Sequence, residues 1–173
     1  DLIIEAVDEN CGFSRYAERL GRSANSFDEM YAELQKEPTY IDQITLSELE
    51  DLIQKTNPKM VGFSVPFPGN LYSAFRCAQY IKQNYPNVKV SMGGGFPNTE
   101  LRSLSDVRVF EFFDFILLDD GEAPTEQVLK YVNNEIEISD LNRTFVLQND
   151  EVIYINNPKI RDYKFSEVGT PDY

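Results

Sequence analysis

The chain has 173 residues, 42 % of them hydrophobic and 13 % aromatic, which suits one globular domain with a substantial core and no disordered tail. Lys and Arg together number 16 against 29 Asp and Glu, a formal charge of −13, and a surface of that sign repels phosphate backbones and anionic lipid heads. Histidine is absent, which removes any His-based metal site, any Ser-His-Asp triad and any His general base.

The first 37 residues read as helical and acidic. Leu2, Ile3, Ala6 and Val7 recur at helical spacing, while Leu2-Ile3-Ile4 also fits a short strand. Ser26 followed three positions later by Glu29 is a capping-box signature for a helix to about Leu34. After Pro38 a second helix is expected from Thr45, with Leu46, Leu49, Leu52 and Ile53 as its buried face and Asn57-Pro58 as its stop. Then comes a strand over residues 60–65, bounded by Pro66 and Pro68. A helix opened by Asn70 follows, carrying Leu71, Phe75, Ala78 and Ile81 inward and ending near Tyr85-Pro86.

The next strand, 88–92, runs into Gly93-Gly94-Gly95, and a short helix after Pro97 is expected to pass through Leu101 and Leu104. Phe115-Ile116-Leu117-Leu118 is a third buried strand. Asp119-Asp120-Gly121-Glu122 and Pro124 then open a helix to Val132. Thr144-Phe145-Val146-Leu147 and Val152-Ile153-Tyr154-Ile155 flank Gln148-Asn149-Asp150-Glu151 as a β-hairpin, and the stretch to Tyr173 reads as a linker.

Strand, loop and helix repeated three times define an α/β fold: an open, mainly parallel, doubly wound (Rossmann- or flavodoxin-like) sheet with a C-terminal β-hairpin and linker. The expected division is a domain over 1–134 and a hairpin and linker over 135–173. Such sheets bind ligands at the carboxyl ends of their strands, so the loops 64–70, 93–96 and 119–123 share one rim.

Several residues on that rim carry candidate chemistry. Gly93, Gly94 and Gly95 after a strand let a flat ligand or a phosphate lie against backbone, or else serve a turn needing positive φ. Asn98 stands where the dinucleotide fingerprint needs glycine, and no Gly-Lys-Ser/Thr is present. Ser64 ends its strand with a hydroxyl on offer, and Asn70 reads as a helix N-cap that can also face a ligand. Phe67 and Phe96 are placed to flank a planar group. Asp119, Asp120 and Glu122 put three carboxylates in four residues. A solvated turn at a helix N-terminus explains them more simply than a Mg²⁺ site, and Lys59 lies at the wrong end of its strand to serve a phosphoacceptor pocket. Cys11 and Cys77 stand too far apart for a metal knuckle and read as reduced, buried thiols of a cytoplasmic protein. No apolar run reaches the roughly 18 residues of a membrane span, no signal peptide is visible, and the opening at Asp1 reads as that of an internal fragment.

From about Pro58 to Val132 the chain resembles the cobalamin-binding domain that precedes the catalytic barrel in B12-dependent radical SAM enzymes. The matching words are Val61-Gly62-Phe63-Ser64, Asn70 opening a helix, Pro86-Asn87-Val88-Lys89-Val90 leading into Met92-Gly93-Gly94-Gly95, and Asp114-Phe115-Ile116 before Asp119-Asp120-Gly121-Glu122. Arg143-Thr144-Phe145 and Gly169-Thr170-Pro171-Asp172-Tyr173 look like the stretch that leads into the barrel. The resemblance implies a cobalamin held by Ser64, Val65, Phe67, Asn70, Gly93, Gly94, Gly95, Phe96, Asp120, Gly121 and Glu122, and a parent that is a methyltransferase.

It also implies that SAM and a [4Fe-4S] cluster belong to a radical SAM domain elsewhere in the parent chain, because no Cys-x-x-x-Cys-x-x-Cys occurs here. By itself this stretch is then expected to bind without catalysing. A bulky residue at Gly94 is expected to abolish cobalamin binding while sparing the fold. Asp119 replaces the first glycine of the Gly-Glu-Gly-Glu turn common in the family, and no histidine is available to cobalt. Two other readings stay open: a cofactor-less scaffold or substrate-docking domain of the same fold, and a receiver- or flavodoxin-like signalling domain using Asp119 and Asp120.

Overall fold

A computed structural model describes residues 6–7, 27–164 and 166–169. Ala6 and Val7 are helical and exposed; the remaining expectations for the first 26 residues, Cys11 among them, fall outside the described residues.

Helix α1 (Phe27–Leu34) turns Met30 and Leu34 into the core. Helix α2 (Tyr40–Thr56) begins five residues before the expected start at Thr45. The cause is a capping box: the Asp42 N–H donates to Thr39 Oγ1 at 3.2 Å, and the Thr39 N–H donates to Asp42 Oδ2 at 3.0 Å. Leu46 and Ile53 are buried as expected, whereas Leu52 is 59 % exposed. Asn57 ends the helix in the left-handed region, at φ 44°, with its N–H on the Ile53 carbonyl.

The sheet follows as β1 (Met60–Ser64), β2 (Lys89–Gly93), β3 (Phe115–Leu117), β4 (Thr144–Gln148) and β5 (Glu151–Ile155), and its spatial order is its sequence order. β1, β2 and β3 are parallel, with Gly62 beside Ser91, Ser64 beside Gly93, and Ser91 beside Phe115. The hairpin does not stand apart: β4 pairs antiparallel with β3 (Ile116 with Phe145) and β5 antiparallel with β4, so four of the five strands share one direction. Asn149 and Asp150 make its two-residue turn, both at positive φ, as a type I′ turn requires.

Helix α3 (Leu71–Asn84) follows a single 3-10 turn (Pro68–Asn70), α4 (Gly95–Glu100) follows β2, and α5 (Glu122–Val132) follows β3. Alternation along each strand sorts side chains onto two faces. Val61, Phe63, Val90, Met92 and Ile116 face α1, α2 and α3 and form the larger core with Phe75, Ile81 and Phe113. Phe115, Leu117 and Val146 face the other way, against Val128 of α5 and Leu141. Helices on both faces make this an open, mainly parallel, doubly wound α/β sheet with a C-terminal hairpin. Edge-to-face aromatic packing fixes the larger core, with the rings of Phe75 and Phe113 4.9 Å apart at 88°.

Two polar clusters hold the helices and strands in place. Asp42, Tyr72 and Arg76 are all at least 95 % buried. The Tyr72 hydroxyl donates to Asp42 Oδ2 at 2.9 Å, and Arg76 Nε pairs with the same oxygen at 3.2 Å. Arg76 Nη1 also donates to the Leu34 carbonyl at 2.9 Å, closing the end of α1. At the amino end of the sheet the Asp114 carboxylate accepts from the Val90 N–H at 2.9 Å, Lys82 at 3.0 Å and Lys89 at 3.2 Å. That clamp stitches β2 to β3 at the end away from the rim.

Candidate functional site

On the face shared with α5, β1 and β2 carry small residues: Gly62 and Ser64 on one strand, Ser91 and Gly93 on the other. Parallel strands normally have both faces covered. Here α5 lies over β3, and the outer part of the sheet is bare among the described residues, leaving Gly62 and Ser64 exposed. The result is a groove of about 270 Å³ floored by Gly62, Ser91 and Gly93, with Met60 and Leu117 as apolar walls and Ser64, Gly94, Gly121 and Thr125 around it.

The floor is open because side chains are missing where they would protrude. A Cβ on Gly62 would lie 3.3 Å from Ser91 Oγ, one on Gly93 would meet Leu117 Cβ at 3.7 Å, and one on Gly121 would meet nothing within 4 Å. Ser91 is 97 % buried, yet its hydroxyl has no hydrogen-bond partner among the described residues. The residue is buried while its hydroxyl opens onto the groove, so it is available to whatever enters there. The hydroxyls of Ser64 and Thr125 are likewise unpartnered among the described residues. No charged side chain lines the groove; it presents apolar walls and three neutral hydroxyls.

The three rim loops meet as expected, and the structure assigns their residues different tasks. Ser64, Gly93, Gly94 and Gly121 border the groove. Val65 is 99 % buried, and its backbone is the joint between two loops: its N–H donates to the Gly93 carbonyl at 2.8 Å, and its carbonyl accepts from the Phe96 N–H at 2.9 Å. Gly94, at φ 103°, is wedged against that joint, where a Cβ would sit 2.8 Å from the Val65 oxygen. A Cβ on Gly95 would sit 2.6 Å from the Pro66 oxygen. These two glycines allow backbone to approach backbone, so a bulky residue at Gly94 disturbs loop packing before it reaches any ligand. Phe96 packs on the larger core, while Phe67 and Asn70 are exposed on the rim. Asn70 occupies the N-cap position of α3 without a side-chain capping bond, because the 3-10 turn before it already supplies the helix with its entry.

The acidic turn is held rather than solvated throughout. Asp119 adopts φ 62°, the conformation a glycine would favour there. Its carboxylate pairs with Arg102, and its N–H donates to Asn98 Oδ1 at 2.5 Å. Asp120 and Glu122 are exposed, Glu122 beside a shallow depression that continues over α5 to Thr125, Glu126 and Leu129. Among the described residues no three Cys, Asp or Glu side chains converge as a metal site requires. Lys59, far from this turn, donates to Asn133 at 3.0 Å.

Gly62, Ser91 and Thr125 are the groove residues that the strand pattern alone did not single out. The signal was the run of small residues on alternating positions, legible only once the bare face is known. Cys77 is buried on α3. No helix among the described residues is long and apolar enough to cross a membrane. Comparison with protein-family models, curated proteins and solved structures gives no match.

Proposed function

We propose that this chain is a cobalamin-binding module of a radical SAM enzyme, a methyltransferase in the parent protein, working in the cytoplasm. The observation that carries the proposal is the glycine-floored groove on the open face of β1 and β2, reaching to the carboxyl-end loops at Gly94 and Gly121, with the Ser91 hydroxyl open to it. Its neutral polar lining suits the uncharged, partly aromatic portion of such a cofactor, and its size accepts only a part of so large a molecule. The corrin would lie outside, across the rim beside Phe67, Asn70 and Gly121. Ser64, Ser91 and Thr125 would supply hydrogen bonds. With no histidine in the chain, cobalt would receive no imidazole from it. SAM and an iron–sulfur cluster would be held elsewhere in the parent, since two cysteines cannot ligate the cluster.

The cofactor-less docking reading draws on a different observation. Tyr40, Ile44 and Leu52 are large apolar side chains left exposed on α2, of the kind a neighbouring domain would cover. The receiver-like reading loses support because Asp119 is engaged by Arg102 and Lys59 stands at the far end of the sheet.

The deciding experiment mixes the purified chain with excess hydroxocobalamin, removes free cofactor by desalting and records the visible spectrum of the protein fraction. Corrin absorbance that travels with the protein, and that an Ser91→Trp variant loses while keeping its circular dichroism, is the expected result. A colourless wild-type fraction overturns the proposal in favour of docking.

A further inference from the structure

Residues 157–164 leave β5 and run exposed along the molecule as a strap, bound to the rest by few contacts. The Asn157 N–H donates to the Leu141 carbonyl at 3.2 Å, the Tyr163 hydroxyl donates to Glu126 on α5 at 2.7 Å, and Asp162 pairs with Arg143. Arg143 is the unusual partner. It sits at φ 46°, a left-handed conformation that a residue with a side chain adopts at a cost. Its Nε is buried with no hydrogen-bond partner. The same Nη2 that meets Asp162 donates to the Asp120 carbonyl at 3.3 Å. One guanidinium nitrogen therefore joins the strap to the turn that carries Gly121, the groove's wall.

On its other side, among the described residues, that turn is held by Asn98 of α4 and by Arg102 just beyond the end of that helix. Residues 119–121 thus hang between two sets of polar contacts and have no apolar anchor of their own before Ala123. A wall held by polar contacts near the surface, with no apolar packing of its own, opens more readily than the core.

We propose that Arg143 is a positioning residue that couples the C-terminal strap to the wall of the groove, so that release of Asp162 loosens residues 119–121. The coupling itself stands on these contacts alone; its bearing on ligand affinity rests on the groove being the binding site.

The test is amide hydrogen exchange on the full chain, without ligand, comparing the peptides that cover 118–127 and 157–168. Asp162→Asn is expected to speed exchange in both peptides about two- to fivefold, the shift in opening equilibrium that loss of an exposed ion pair gives. Glu167→Gln breaks the strap's internal pair with Arg161. It is expected to speed the strap peptide and leave 118–127 unchanged. Arg143→Lys is expected to keep the strap protected, because the charge pair with the exposed Asp162 survives, while 118–127 loosens, because the lysine side chain is one bond shorter and does not carry its nitrogen to the Asp120 carbonyl as well. If Asp162→Asn affects the strap alone, or affects neither peptide, the coupling is overturned. Because exchange is read on the cofactor-free chain, a colourless protein in the cobalamin experiment leaves this result standing, and a failed coupling leaves cobalamin binding standing.

Discussion

Replacing Gly94 by alanine separates the joint between two rim loops from the groove they frame. The added Cβ would lie 2.8 Å from the Val65 carbonyl oxygen and 2.9 Å from its amide nitrogen, both backbone atoms that cannot swing aside. The backbone angles, φ 103° and ψ −169°, belong to a region that only glycine populates freely, costing an alanine about 1–3 kcal/mol. Overpacking of this kind costs a further ~1–3 kcal/mol. The two hydrogen bonds made by Val65 with Gly93 and Phe96 weaken as the loops part. A loss of about 3 kcal/mol or more follows, a large share of the ~5–15 kcal/mol that holds a domain together. In a urea titration the unfolding midpoint should fall by roughly 1–2 M at an unchanged slope. Gly93→Ala is the matched control, one residue away, where the Cβ makes ordinary contact with Leu117 and φ is not positive. Its midpoint should stay within about 0.3 M of the parent. Equal midpoints for Gly94→Ala and the parent would falsify the described contact between the loops.

Other consequences can be measured independently. Ser91→Ala should weaken hydroxocobalamin binding about five- to tenfold, the value of one hydrogen bond, while leaving the urea midpoint unchanged or slightly higher; equal affinity in an equilibrium titration removes Ser91 from the site. Asp42→Ala leaves the Arg76 charge buried without its carboxylate and should cost about 3–5 kcal/mol. The pair Asp42→Leu with Arg76→Met should cost less than the sum of its single changes, and additive denaturation energies would show that the two side chains are not coupled. The Glu50 carboxylate accepts from both Tyr80 and Tyr85, which holds it below the usual carboxylate range and pushes Tyr80 up to about 12. A tyrosine pKa raised on folding contributes stability in full below pH 10, and that contribution fades as pH rises through about 12. The lowered Glu50 contributes above the unfolded carboxylate value, and its share is lost as pH falls through its folded pKa. Tyrosinate absorbance should therefore show Tyr80 titrating near 12 in the parent and closer to 10 in Glu50→Gln; superimposable titrations would remove Glu50 as the cause.

The sheet and the helix that crosses from β1 to β2 were legible because Leu71, Phe75, Ala78 and Ile81 follow a strict helical period, and the strands read as short apolar runs. The early start of α2 was missed because Asp42, rather than Glu or Gln, completes the capping box with Thr39. Leu52 misled because helical spacing alone cannot tell a buried stripe from the one beside it. The hairpin was visible from its turn, but nothing local says that β4 will pair with β3; that choice is tertiary. At the site, the position of the rim followed from topology, whereas the division of labour among the glycines did not. Gly94 and Gly95 answer to the backbone of Val65 and Pro66, 29 residues earlier in the chain, whereas Gly62, Gly93 and Gly121 leave space in the groove. Arg143 at positive φ was hidden, since arginine does not advertise that conformation, whereas aspartate, as at Asp119, takes it more readily.

The coincidence of spatial order with sequence order bears on how the molecule assembles during synthesis. Each strand, as it leaves the ribosome, finds its neighbour already in place at the growing edge, and no later strand has to be inserted between two earlier ones. Every pairing thus spans only the intervening helix or turn, which keeps the loop-closure entropy of each step small and favours rapid, ordered folding. The sheet closes at its carboxyl side with the most local pairing of all, the β4–β5 hairpin, so the last strand to emerge is also the one with the shortest search.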